Sequence, residues 1–225
     1  MPLDVSRIKA VCFDVDGTIS DTDNEWVDRI SRVMRWMDFA VKTQERMRLV
    51  RWLVMATESP MNALYHWADH FSLDDNFARL FAKRAGRTKA RKHPFWLMDG
   101  TVELLDLLGN QMPLSVVTAR DEMTTMRFID SFDLKKYFKL IVSSQTCAHT
   151  KPFPDPVLHA AKHMSVSPEN CVMIGDTTVD IIAGRKAGAQ TIGLLCGFGT
   201  ENELRRAGAD LIVSELRDLI PLFTN

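Results

Sequence analysis

The feature that most constrains the fold is an alternation of short apolar runs with amphipathic stretches along most of the chain. A strand made only of apolar residues is buried on both faces, which is typical of a parallel sheet covered by helices on both sides. Right-handed crossovers between such strands give a doubly wound α/β fold, which is our prediction. The predicted strands are 8–13, 114–117, 140–142, 171–174, 191–195 and 211–213, and the predicted helices are 100–108, 122–132, 155–164, 179–187, 201–207 and 215–222.

The stretch 24–96 has a different pattern. Its apolar residues recur every three or four positions, beginning with Trp26, Ile30 and Val33, and charged residues lie between them. This spacing predicts amphipathic helices, and strand-like alternation is missing. We therefore predict an all-helical domain over 21–96, inserted after the first strand of a core formed by 1–20 and 97–225.

Charge separates the same two parts of the chain. Residues 24–96 hold 14 Lys or Arg and 8 Asp or Glu, a net charge of +6, so the rest of the chain, with 14 against 21, has −7. A basic insert beside an acidic site would attract an anionic substrate. The alternative is that these charges only solvate helix surfaces. The basic run 87–92 lacks interleaved aromatic residues, so we expect no nucleic-acid partner.

The sequence also bears on location and assembly. No apolar run approaches the roughly 18 residues of a membrane span, and residues 1–4 lack the basic-then-apolar pattern of a signal peptide. We expect a cytoplasmic protein without a membrane partner. Its assembly is left open between a monomer and a homodimer.

Polar side chains follow several predicted strands at the point where each strand ends. Ligands of an open parallel sheet bind beyond the carboxyl ends of its strands, so these side chains are expected to converge. Clustered carboxylates raise one another's pKa unless a cation neutralises them, and an all-oxygen ligand set suits Mg²⁺. Taken singly, each residue could be a helix cap or a surface group, but their joint placement favours a site. The residues are Asp14, Asp16, Thr118, Lys151, Asp176 and Asp180.

Four motifs carry a family resemblance. In chain order they resemble the motifs of the haloacid dehalogenase-like hydrolase superfamily, and the helical insert is similar to that superfamily's α-helical cap. The segments 180–189, 197–200 and 207–210 are similar to its phosphoglycolate phosphatase-like branch. The four motifs are DVDGT at 14–18, VTAR at 117–120, KPFPDP at 151–156 and GDTTVD at 175–180.

The resemblance implies a magnesium-dependent phosphatase with a Rossmann-like core that acts on a small, anionic phosphorylated metabolite. Asp14 would attack phosphorus to give an aspartyl-phosphate, and Asp16 would donate and accept protons. Thr118 and Lys151 would hold the transferring phosphoryl group. Phosphoglycolate is the first candidate substrate.

The resemblance also implies the ligands of the metal and of the phosphate. The metal would be held by Asp14, the backbone carbonyl of Asp16 and Asp176, with Asp180 as a further ligand or as a support for Lys151. Many relatives have a small polar residue or asparagine after the threonine, whereas this chain has Ala119 and Arg120. Arg120 would contact substrate or cap a helix. The implied phosphate-binding residues are Val15, Gly17, Thr118, Ala119, Arg120 and Lys151.

Two alternative functions use the same fold. A sugar-phosphate phosphomutase resembling β-phosphoglucomutase would need the same nucleophile and acid–base pair. A non-catalytic phosphate-binding regulator would need neither, so the intact Asp14 and Asp16 argue against it. Dehalogenases of this fold lack an acid at position 16 and transport ATPases carry threonine there, so Asp16 favours a phosphatase.

Overall fold

The structure is a computed structural model that describes residues 2–21 and 95–224. Six strands form one sheet in the order β3-β2-β1-β4-β5-β6, and every neighbouring pair is parallel. The predicted doubly wound α/β fold is therefore confirmed. The helical domain predicted over 21–96 lies, except at its two ends, outside the described residues and stays a prediction. The strands are β1 (Ala10–Phe13), β2 (Leu114–Val117), β3 (Phe138–Val142), β4 (Cys171–Gly175), β5 (Gln190–Leu194) and β6 (Leu211–Val213).

Helices connect successive strands and cover both faces of the sheet. Along β1, Val11 and Phe13 join the larger apolar cluster on one face, whereas Ala10 and Cys12 join a second cluster on the other. This division follows from the two-residue period of a strand. Among the described residues the α-helices are α1 (Thr101–Gly109), α2 (Glu122–Ser131), α3 (Asp155–Met164), α4 (Thr178–Ala187), α5 (Glu201–Ala207) and α6 (Ile220–Phe223).

The strand order places the ligand-binding edge. From β1 the chain builds β2 and β3 on one side of β1, and it then builds β4, β5 and β6 on the other side. The direction of winding therefore reverses between β1 and β4. In sheets of this kind the crevice beyond the carboxyl ends of those two strands binds ligands.

The chain leaves the core and re-enters it at neighbouring positions. Ser20 forms an antiparallel bridge with Leu97. On either side of it, the Asp21 N–H donates to Trp96 O at 3.0 Å and the Met98 N–H donates to Ile19 O at 3.0 Å. These contacts form a two-stranded stem at the point where the chain leaves the core and returns to it.

Several predicted elements differ by one or two residues from their bounds in the structure, and in two cases the sequence shows a physical reason. β3 begins at Phe138 because it is an edge strand, where the exposed Lys139 interrupts the apolar run without ending the strand. The predicted helix 215–222 is divided into a 3₁₀ helix, Leu216–Leu219, and the short α6. Pro221 lies in the first turn of α6, where its missing N–H costs no hydrogen bond, and it favours a new helix start. Within the described ranges, no helix has the length and apolar character needed to cross a membrane.

Candidate active site

A buried lysine joins two carboxylates at the carboxyl edge of the sheet. The Lys151 ammonium lies 2.7 Å from Asp14 Oδ1 and 2.6 Å from Asp180 Oδ1. The side chains of Lys151 and Asp14 are only 2% and 10% exposed, and that of Asp180 is fully buried. Asp14 directly follows β1, and its N–H donates to Ile174 O of β4 at 2.9 Å. The structure therefore brings together three of the residues that the sequence places at strand ends.

Asp180 is held by the start of α4. Its Oδ2 accepts hydrogen bonds from the Thr177 N–H at 3.0 Å and from Thr177 Oγ1 at 2.7 Å, in a capping box. With Oδ2 bound to the helix cap, Oδ1 is oriented toward Lys151. Thr177 is not among the predicted site residues, although a threonine three residues before an acid at a helix start is the signal for this motif.

Asp176 completes the acidic cluster. It is fully buried, and its Oδ2 accepts from the Phe198 N–H at 2.7 Å. Carboxylate oxygens of Asp14, Asp176 and Asp180 all lie within 4.8 Å of one another. The backbone of Phe198 is a second contact that the sequence analysis does not identify. Its chain position gives no sign that its amide lies against the residue that follows β4.

The electrostatics of this cluster are those of a cation site. Burial, together with the charges of Asp180 and Asp16, raises the pKa of Asp14 to about 7 against the opposing effect of Lys151. Burial, together with the charges of Asp180 and Asp14, also raises the pKa of Asp176 well above its ordinary value. For Lys151, burial alone lowers the pKa, but the carboxylates of Asp14 and Asp180 raise it above the usual range. Three carboxylates are therefore buried beside one ammonium that contacts two of them, and this all-oxygen set fits a hard divalent cation.

Asp16 is oriented by a residue far away in the sequence. Both of its oxygens accept from the Arg120 guanidinium, with Arg120 Nε 2.6 Å from Asp16 Oδ2 and Arg120 Nη2 in contact with Oδ1. The guanidinium carbon also lies 5.9 Å from the ring centre of Phe95 and 5.7 Å from that of Phe128. Arg120 does not cap α2, because Asp121 does so through the Thr124 N–H. The Asp16 side chain is 35% exposed, so a substrate can reach it.

The remaining predicted site residues surround these carboxylates in different ways. Thr118 is buried, and its Oγ1 accepts from the Arg120 N–H at 3.1 Å, whereas Ala119 is exposed. Gly17 has φ of +70°, and a Cβ there would lie 2.3 Å from Asp176 Oδ2. Its N–H donates to Ser20 O at 3.0 Å, within the turn that follows β1. The backbone oxygen of Val15 accepts from the same turn.

Comparisons with known proteins agree with this geometry. Residues 11–194 match the sequence model of the family described as haloacid dehalogenase-like hydrolase. The phosphoglycolate phosphatase of Escherichia coli K12 is 24% identical over 234 residues, covering 95% of this chain and 92% of that protein. A hydrolase from Pseudomonas syringae has a TM-score of 0.68 at 25% identity, covering 95% of this chain and 97% of the other. A haloacid dehalogenase-superfamily hydrolase of subfamily IA from Geobacter sulfurreducens has a TM-score of 0.64 at 23% identity, covering 96% and 97%.

The structure combines a doubly wound α/β fold with an acidic cluster at the switch point of its sheet. The chain belongs to the haloacid dehalogenase-like hydrolase family. The expected enzyme class, a phosphatase of this family, is confirmed by the family match together with the phosphatase relatives.

Proposed function

We propose that this enzyme is a magnesium-dependent phosphatase that hydrolyses a small phosphomonoester through an aspartyl-phosphate on Asp14. One observation carries the proposal: the buried Lys151 ammonium lies between Asp14 and Asp180 while Asp176 adds a third carboxylate within 4.8 Å. A purely structural ion pair needs no excess of buried negative charge, and such an excess is costly. A site that binds a cation and a phosphate does need an excess of carboxylates, to hold the cation, beside an ammonium, to hold the phosphate.

Asp14 is the nucleophile in this proposal. Lys151 holds its Oδ1, so attack on phosphorus falls to Oδ2. The bond from Asp14 to phosphorus forms while the bond from phosphorus to the leaving-group oxygen breaks. Lys151 also offsets negative charge on the transferring group, and the buried Thr118 hydroxyl donates to one of its oxygens.

Asp16 moves the protons. It gives a proton to the leaving-group oxygen and then accepts one from the water that attacks the phosphoenzyme. That water's oxygen bonds to phosphorus as the bond to Asp14 breaks, which releases inorganic phosphate. Arg120 holds both oxygens of Asp16 in the structure, so one of these two hydrogen bonds opens when Asp16 carries the proton, and the other keeps the carboxyl group oriented.

The residues that would hold Mg²⁺ are Asp14, the backbone carbonyl of Asp16 and Asp176. Asp180 is already engaged by Thr177 and Lys151, so we assign it the support of Lys151. A bound Mg²⁺ supplies neutralisation of the carboxylates and of the phosphoryl oxygens.

The substrate class follows from charge and from the relatives. Residues 24–96 carry a net charge of +6, which favours an anionic leaving group. The curated relatives named phosphoglycolate phosphatase support phosphoglycolate as the first compound to test. A cytoplasmic location, proposed from the sequence, fits a metabolite of this class.

Phosphate release from a panel of phosphorylated metabolites, measured with Mg²⁺, tests the proposal. We expect release by the wild-type enzyme and none by Asp14→Asn or by EDTA-treated protein. Asp133→Asn is the matched control, because Asp133 is an exposed carboxylate before β3, at the opposite edge of the sheet. Its φ of 53° is one that asparagine tolerates. Release that persists in Asp14→Asn would contradict the assignment of the nucleophile.

A further inference from the structure

The loop after β5 contains a glycine pattern that the proposed mechanism does not use. Gly197, Phe198 and Gly199 follow one another between β5 and α5. Neither Gly197 nor Gly199 has a positive φ. Backbone conformation therefore does not require glycine at these two positions. We attribute the two glycines to a lack of room for a Cβ atom.

That space is occupied by Asp176. A Cβ at position 197 would lie 2.1 Å from Asp176 Oδ2 and 2.5 Å from its Cγ, and a Cβ at position 199 would lie 2.1 Å from the Asp176 backbone oxygen. Real Cβ atoms do not approach other atoms so closely. The loop also donates two hydrogen bonds, from the Phe198 N–H to Asp176 Oδ2 at 2.7 Å and from the Gly199 N–H to Asp176 O at 3.0 Å.

The loop is fixed at both of its ends. Before it, the Leu195 N–H donates to Val213 O of β6 at 3.0 Å. After it, Thr200 and Glu203 form the capping box that starts α5, with Thr200 Oγ1 2.8 Å from Glu203 Oε2. Because the loop is held in this way, it cannot easily shift to make room for a larger side chain at position 197. The Asp176 side chain would have to move instead.

We infer that residues 196–199, which we name the glycine clamp, position the Asp176 carboxylate for the cation. The clamp binds Oδ2 from one side, and Gly17 lies against the same oxygen from the loop after β1. This leaves the fully buried Asp176 side chain little freedom to rotate. The inference rests on the proposed function, because it assigns the clamp to the same metal site. Gly197 is thus a positioning residue.

Gly197→Ala tests the inference in the full-length protein. Thermal unfolding at increasing Mg²⁺ concentrations gives the apparent Mg²⁺ dissociation constant without any assay of activity. We expect the constant to rise at least tenfold in the variant, which is the usual effect of altering groups that orient a metal ligand. Gly188→Ala is the control. It lies after α4 at φ of +84° with nothing within 4 Å of its added Cβ, so it lowers the melting temperature without weakening Mg²⁺ binding.

The outcomes separate the two proposals. Wild-type protein that is not stabilised by Mg²⁺ overturns the proposed metal site and the clamp with it. Wild-type and Gly197→Ala proteins that bind Mg²⁺ equally well overturn the clamp alone. Should Gly197→Ala fail to fold, Gly199→Ala tests the same idea through the backbone of Asp176, with the same tenfold criterion.

Discussion

Asp176→Asn removes one negative charge from the buried cluster while preserving the shape of the side chain. The amide oxygen can still accept from the Phe198 N–H, which contacts Asp176 Oδ2 at 2.7 Å. We therefore expect the variant to be more stable than the wild-type enzyme when both are free of metal. A site built for a cation is strained without it.

The magnitude follows from the spacing of the charges. Two like charges 4.8 Å apart, the outer limit for the oxygens of this cluster, repel by about 3 kcal/mol at an effective dielectric constant of about 20. Asp176 faces two such neighbours, Asp14 and Asp180, and the attraction of Lys151 offsets part of the repulsion. The net gain in the free energy of unfolding should be about 3 kcal/mol. In a protein of this size that raises the melting temperature by about 6–12 °C.

The gain in the free energy of unfolding of Asp176→Asn should also depend on pH. Because the pKa values of Asp14 and Asp176 are raised in the folded protein, the native state binds more protons than the unfolded state above the ordinary value of 3.8. The contribution of Asp14 and Asp176 to wild-type stability then falls as the pH rises from about 4 to about 7. The advantage of Asp176→Asn over the wild type should accordingly be larger at pH 7.5 than at pH 5.5.

Calorimetry in EDTA at pH 5.5 and pH 7.5 measures the difference in melting temperature between the variant and the wild type. Addition of Mg²⁺ then measures how much the ion stabilises each protein. Mg²⁺ should raise the melting temperature of the wild type far more than that of the variant, because the variant has lost a carboxylate ligand. A variant no more stable than the wild type in EDTA at pH 7.5 would refute the idea that the cluster is electrostatically strained. An equal response to Mg²⁺ would refute the role of Asp176 as a ligand.

Two further substitutions test the partners of the catalytic carboxylates. Lys151→Met should lower the free energy of unfolding by about 3–5 kcal/mol in urea denaturation, because it leaves buried carboxylates uncompensated, and a loss below 1 kcal/mol would contradict this. Arg120→Met should keep much of the packing on Phe95 and Phe128 but release Asp16. Steady-state kinetics should therefore show a kcat at least tenfold lower, while the melting temperature changes little. An unchanged kcat would show that Arg120 does not orient Asp16.

Much of the fold can be predicted from the sequence because buried parallel strands leave a strong local signal. β2 and β6 have the predicted bounds, since β6 is wholly apolar and the small, buried Ser115 is the one polar residue of β2. β3 begins earlier than predicted because its edge position tolerates the exposed Lys139. The predicted helix 215–222 is divided, because a proline in the middle of a short apolar stretch marks a new start that periodicity alone does not show.

Part of the candidate site could also be predicted, because the buried strands that position it leave a strong local signal in the sequence. Asp14, Lys151 and Asp180 each follow a strand, and parallel strands end at one edge. The contact of Arg120 with Asp16 spans 104 residues, and that of Phe198 with Asp176 spans 22. Such contacts depend on how two loops approach in space, which local spacing does not encode. Sequence analysis therefore identifies the charged groups, but it does not identify what holds them in place.

The stem that follows β1 brings two distant parts of the chain together, at residues 19–21 and 96–98. The chain departs at Asp21 and returns at Trp96, where a hydrogen bond of 3.0 Å already joins the two strands as in a hairpin. Because the two ends are neighbours, a two- to five-residue turn could replace everything between them without moving β1. Lengthening the insertion costs only loop-closure entropy, about 0.6 kcal/mol for each doubling. We expect that the length of chain between Asp21 and Trp96 can change while the sheet and its carboxylates stay unchanged.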